Sequence, residues 1–137
     1  MGTLYLVSTP IGNLEDFSFR AKRLLSTVSF IACEDTRRTG SLLKKLAIKP
    51  PNLISCYEGN ELARLPQLLK LLKNAQDGAL ISNAGTPTIS DPGYKLVRAC
   101  LKNHIPVVPV PGASSVLTAL VASGLPTDKF IDRKSVV

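Results

Sequence analysis

Aromatic residues make up only 5% of this 137-residue sequence, and tryptophan does not occur at all. So few large rings leave the core to aliphatic side chains, and a hydrophobic share of 45% is enough of them to fill a single domain of this length. That share also excludes general disorder. Long apolar runs are missing: nothing approaches the ~18 residues of a membrane-spanning helix. No basic leader or small-residue cleavage site precedes the strand-like residues that begin at Thr3, so a soluble, cytoplasmic protein is expected. Cysteine is scarce and unpaired in pattern. Cys33, Cys56 and Cys100 are odd in number, far apart and never arranged as CxxC, which argues against a disulfide framework and a structural zinc site and fits a reducing compartment.

Histidine occurs once. His104, next to Asn103 between a helical and a strand-like segment, reads as a helix-end residue rather than a base or a ligand. Without HExxH or a Cys/His cluster no metal site is expected. GxGxxG and GxxxxGK[ST] are both absent, so a dinucleotide fold and a P-loop lack their phosphate cradles.

Negative charge is also in short supply. Ten acidic residues face 17 basic ones, giving a net charge of +7. From Arg20 to Lys49, less than a quarter of the chain, eight basic residues stand against Glu34 and Asp35 alone, a local +6. A field of this kind suits a phosphate-rich partner such as RNA, although a solvated helix face would carry the same charges.

What the sequence does have is a regular alternation of short apolar runs and longer helical patterns. Leu4–Val7, Val28–Cys33, Leu53-Ile54 towards Tyr57, Ala79–Ile81 and Ile105–Val110 read as five strands. Between them, helical spacing appears in Phe17-Ala21-Leu24-Leu25 behind a cap at Asp16, and in Leu42-Leu43-Leu46 before Pro50-Pro51. It recurs in Leu62 to Leu72 and Leu96 to Leu101, and from Ser114 to about Ala122. Five strand–helix units in succession predict an α/β domain, a five-stranded, mostly parallel, doubly wound sheet with helices on both faces. The ligand crevice of such a sheet lies at the carboxyl ends of its strands, which directs attention to the loops that leave them.

Three of those loops are rich in glycine, proline and hydroxyl residues: Ser8–Asn13, Ser82–Gly93 and Pro109–Ser115. Each alone is a tight βα connection. Together at one sheet edge they form a stiff, preorganised rim for a ligand, with Gly12 open to close backbone approach and Ser114-Ser115 at a helix N-terminus. A fourth loop, Glu34-Asp35-Thr36-Arg37-Arg38, sets two carboxylates beside two guanidiniums. That arrangement can bind phosphate while a carboxylate handles a proton, and it equally describes a helix start with Thr36 helping to cap.

Taken together, these motifs resemble the tetrapyrrole methylase superfamily, in its ribosomal RNA branch. The resemblance rests on Leu4–Asp16, Glu34–Arg37, Ala84-Gly85-Thr86-Pro87, Ile89–Tyr94, Pro111–Ser114 and Ala122–Asp128, in family order across about residues 3 to 130. It implies transfer of a methyl group from S-adenosylmethionine to the ribose 2′-hydroxyl of a cytidine in 16S rRNA of the small ribosomal subunit, by a full-length homodimer without metal or membrane. Carried over by position, Pro10, Gly12, Ala84, Gly85, Thr86, Ile89, Ser90 and Ser114 would bind the cofactor. Glu34 or Asp35 would serve as base, with Arg37, Arg38, Lys44 and Lys45 on the RNA.

Ser8 and Asn83 stand where the family commonly has Pro and Asp, and Tyr57 and Gly59 where it often has histidines. Residues 1–125 are expected to form the N-terminal methylase domain and 126–137 a linker into a second domain, so that this chain would be the N-terminal half of the enzyme. Two other readings stay open: a catalytically inactive domain that binds RNA or a partner, and a methylase of an acidic tetrapyrrole precursor.

Overall fold

A computed structural model describes residues 1–133; Lys134–Val137, the end of the expected linker, lie outside the described residues. The strands are β1 (Leu4–Val7), β2 (Phe30–Cys33), β3 (Asn52–Ser55), β4 (Gly78–Ile81) and β5 (Val107–Val110). The helices are α1 (Phe19–Thr27), α2 (Thr36–Lys45), α3 (Glu61–Lys73), α4 (Tyr94–Lys102) and α5 (Ser115–Ala122). All the strand pairings are parallel, in the order β3-β2-β4-β1-β5. The α/β sheet expected from the sequence is the one observed.

Successive side chains of a strand point to opposite faces, and in the inner strands β2 and β4 both faces are dry. Val7, Ile31, Cys33, Ala79 and Ile81 pack under α1 and α2, while Leu4, Phe30, Ala32 and Leu80 pack under α3 and α4. β5 is an edge strand, which is why it tolerates Pro109. Strand order explains the placement of the helices. β1 and β2 send their chains to one face, whereas β4, lying between them, sends its chain to the other. The carboxyl end of β4 is therefore flanked by gaps on both sides, the position at which open α/β sheets bind ligands.

Local boundaries differ from the sequence expectation: β2 and β5 each start two residues late, at Phe30 and Val107, β4 starts one residue early, at Gly78, and three further differences have a visible cause. Asp16 does not cap α1: Leu14–Asp16 forms its own 3₁₀ turn, capped by Asn13, and the Ser18 hydroxyl accepts the Ala21 N–H instead. α2 begins at Thr36, well before its apolar residues, because the Asp35 side chain accepts the N–H groups of Arg37 and Arg38. β3 stops at Ser55, and the next turn is tied by the Tyr57 N–H donating to Asn60 Oδ1 at 2.8 Å. His104 does close α4, at a φ of +57°. Among the described residues no helix is long and apolar enough to cross a membrane.

Candidate functional site

The three glycine- and proline-rich loops leave the neighbouring strands β4, β1 and β5, and hydrogen bonds join them into one rim. Thr9 and Gly85 exchange both backbone N–H···O bonds at 2.9 Å, binding the loop after β1 to the loop after β4. Thr86 Oγ1 donates to the Ala113 carbonyl at 3.1 Å and lies 3.1 Å from Ser8 Oγ. The single Thr86 hydroxyl proton is committed to Ala113, so Ser8 is the donor to Thr86, and the chain of hydroxyls links all three loops. Gly112 makes the last contact possible: a Cβ there would sit 2.8 Å from the Ser8 Cβ. The buried Ser82 hydroxyl turns inward to the Ala84 and Gly85 carbonyls.

Two adjoining cavities open along this rim. The larger, about 640 Å³, has mostly apolar walls, from Leu6, Pro87, Pro109, Pro111, Val116 and Leu117, with Thr86 and Ser114 among its polar groups. The smaller, about 300 Å³, is lined by Ala84, Gly85, Ser90 and the first residues of α5, with the charged Asp91, Asp132 and Arg133. Thr86, Ile89 and Ser114 border both. Six of the residues expected to hold a cofactor, Ala84, Gly85, Thr86, Ile89, Ser90 and Ser114, are thus brought together. Ser114 caps α5 by accepting the Leu117 N–H, and the first residues of that helix, Ser115 and Val116, line the smaller cavity. Gly85 turns at a φ of +80°, and Thr88 and Ser90 hold φ values of +75° and +53°, unusual for residues with side chains. The rim is stiff and bent in a way that few sequences adopt.

Pro10 and Gly12 are placed elsewhere. They line a third cleft, about 190 Å³, with Arg38, Thr39, Leu42 and Lys45 of α2 and with Ser82 and Asn83. This cleft shares no lining residue with the other two. Gly12 has nothing within 4 Å of where a Cβ would lie, so its need is the φ of +127° rather than close contact.

Glu34 and Asp35 line none of these three cavities. Asp35 is occupied as the cap of α2, and its two backbone N–H donors, followed by the nearby Arg37 and Arg38 charges, hold its carboxyl below the ordinary value. Those interactions favour the ionised carboxylate and weaken it as a proton acceptor. Glu34 is half-buried at the end of β2. Arg37 reaches back to Asp35 at 3.7 Å and is 93% exposed, and Arg38, Lys44 and Lys45 are exposed as well. Of the four basic residues expected on RNA, Arg38 and Lys45 share a cleft.

The apolar wall was missed in the sequence. Leu6 and Pro109 are register partners on β1 and β5, a relation visible only once these strands are known to be neighbours. Phe130 and Asp132 also reach the larger cavity from the chain's far end.

Comparison with known proteins agrees with the fold and narrows it. Uroporphyrin III C-methyl transferase from Thermus thermophilus superposes with a TM-score of 0.66 at 26% identity, over 91% of this chain and 53% of that one. A structure of that transferase complexed with S-adenyl homocysteine gives 0.62 at 24% identity, over 91% and 52%. Two ribosomal RNA small subunit methyltransferase I proteins are nearer in sequence. The one from Hydrogenobaculum sp. (strain Y04AAS1) is 52% identical over 128 residues, 93% of this chain and 56% of the relative. The one from Escherichia coli O157:H7 is 50% identical over 129 residues, 94% and 45%. The chain spans about half the length of the curated relatives it matches. The sequence pattern of the tetrapyrrole (corrin/porphyrin) methylases matches residues 3–137, and the chain belongs to that family.

Proposed function

We propose that this chain is the donor-binding half of an S-adenosylmethionine-dependent methyltransferase that modifies a cytidine ribose 2′-hydroxyl of 16S rRNA in the small ribosomal subunit. The observation that carries the reading is the hydroxyl-stitched rim and its two adjoining cavities, where six expected cofactor residues converge. Their volumes lie in the range of small-molecule sites. The mixture fits the donor: apolar walls for an adenosine, and helix N–H groups and hydroxyls for an amino-acid carboxylate. When bound, the donor supplies an activated methyl group on a sulfonium. The protein's own task is then to hold two reactants in line, which rigid loops do well. The assignment of the donor draws also on the Thermus transferase's complex with S-adenyl homocysteine, the demethylated form of that donor.

RNA is favoured over a tetrapyrrole as acceptor by about 50% identity to the ribosomal RNA enzymes against 26% to the uroporphyrin enzyme. The basic stretch around α2 agrees with it. Residues 1–125 constitute the methylase domain in this reading, and 126–137 lead out of it; residues 123–133 are exposed and form no helix or strand. Asp35 being engaged as a cap, Glu34 is the better placed of the two carboxylates to take a proton.

Calorimetric titration with S-adenosylmethionine tests the donor site. Binding is expected for the native chain and is lost in Gly85→Trp, whose side chain would fill the rim. Tritium transfer from labelled donor to undermethylated small subunits tests the acceptor. Absence of donor binding, or transfer only to a tetrapyrrole, overturns the proposal.

A further inference from the structure

The donor assignment leaves the cleft between α2 and the loop after β1 without a role. Arg38, Leu42 and Lys45 fall on one face of α2, at spacings of four and three residues, and line this cleft together. No acidic residue lines it, and neither cation forms an ion pair among the described residues. Asp35, one turn before Arg38, has turned its carboxylate to the backbone of α2. Asn83, an exposed amide, and Pro10 and Gly12 line the same cleft. At about 190 Å³ the cleft is smaller than the ~300 Å³ at which drug-sized ligand sites begin. It is continuous in sequence with the donor rim. Ser82-Asn83 faces the cleft and Ala84-Gly85 faces the cavities beyond, with the Thr9–Gly85 bridge between them.

We infer that this cleft seats a backbone phosphate of the RNA strand, held by Arg38 and Lys45, and so fixes the position of a neighbouring ribose relative to the donor cavities. The inference rests on the RNA reading above. It assigns Pro10 and Gly12 to the substrate side and separates two cations with a defined place from the diffuse charge of Arg37 and Lys44. A phosphate here adds positioning without sequence readout.

Two titrations test it on the native chain, on Arg38→Gln/Lys45→Gln, and on Lys70→Gln/Lys73→Gln, a pair on α3 with the same change in charge. In the first, inorganic pyrophosphate is added while backbone amide shifts are followed. Shifts are expected at Gly12, Thr39 and Asn83, absent from the α2 variant and kept in the α3 variant. Calorimetric binding of S-adenosylmethionine should be equal in all three. In the second, a single-stranded oligoribonucleotide of 16S sequence is bound at increasing salt. The slope of log affinity against log salt should become shallower by about 0.7 in the α2 variant, for the one phosphate the cleft seats, and hold in the α3 variant. Scattered pyrophosphate shifts with intact RNA binding, or equal losses in both variants, overturn the cleft and leave the RNA reading standing. Localised pyrophosphate shifts without RNA binding overturn the RNA reading and with it the identity of the phosphate. Loss of donor binding in the α2 variant overturns the separation of the two sites.

Discussion

Gly78 opens β4, the central strand, with Leu4 and Phe30 as its register partners on either side. Its φ is not unusual; what it lacks is room. A Cβ there would overlap the Cζ end of the Phe30 ring, 2.5 Å from Cε2 and closer still to Cζ. The largest fully buried side chain therefore rests on the one residue type that leaves space for it. Gly78→Ala is expected to cost about 1–3 kcal/mol by overpacking. Urea denaturation should show a lower midpoint with an unchanged slope. Phe30→Leu vacates part of the space, so the double variant should be more stable than the sum of the single losses implies. A simple sum would mean that the two positions do not share the space. Gly93 repeats the situation at the rim, where a Cβ would meet Leu80 Cδ2 at 2.4 Å and the φ is +120°.

α2 shows where an element can hide. Its first half, Thr36-Arg37-Arg38-Thr39-Gly40-Ser41, is polar, and its buried residues are only Thr39 and Leu43. Apolar spacing therefore marks no more than its second half. The start is set by the Asp35 cap, whose residue type is as common in loops and in active sites. That ambiguity made Glu34-Asp35 read equally as chemistry and as a helix start. The inner strands β2 and β4 were legible because every residue of each is buried and their apolar runs are continuous. Glu61 was not legible at all: it is 3% exposed, and its carboxylate accepts the Leu96 N–H at 2.9 Å, 35 residues downstream. No local pattern announces that α3 caps the start of α4.

The Asp35 cap makes a prediction about acid. Its carboxyl titrates lower in the folded chain than its ordinary value because the Arg38 and Arg37 N–H groups favour the charged form. Its contribution is then full above the unfolded value near ~3.9 and fades as pH falls through the lower folded value. Asp35→Asn keeps a good cap and should lose this part of the acid dependence while staying helical. Asp35→Ala should lower the melting temperature at neutral pH and differ little from the native chain at the most acidic pH at which both fold. An identical acid limb in the native chain and in Asp35→Asn would assign the dependence to another carboxyl.

At the scale of the whole molecule, the two hydrophobic layers share one sheet, and alternate residues of each strand belong to different layers. Strand order was beyond the sequence, since nothing local says that β4 inserts between β1 and β2; with it went the division of the loops between a donor rim and a basic cleft. The same order dictates how the protein should open. Removing α3 and α4 would expose Leu4, Phe30 and Leu80 on the strands whose other face supports α1 and α2, so neither layer is expected to open alone.

The cysteines report on this directly. Cys33 lies in one layer, Cys56 and Cys100 in the other, and all three are buried. Burial raises the Cys33 thiol and pushes Cys56 and Cys100 up to about 11, so at pH 8 each is both inaccessible and protonated. Thiol-specific labelling under native conditions must wait for an opening, and when reclosing is fast its rate measures the free energy of that opening. All three positions should give the same value, equal to that from urea denaturation, and all should fall together in Gly78→Ala. Faster labelling of Cys100 and Cys56 than of Cys33 would mean that the α3–α4 layer peels from a sheet that stays formed, and the sheet would then not be the single cooperative unit that its shared strands imply.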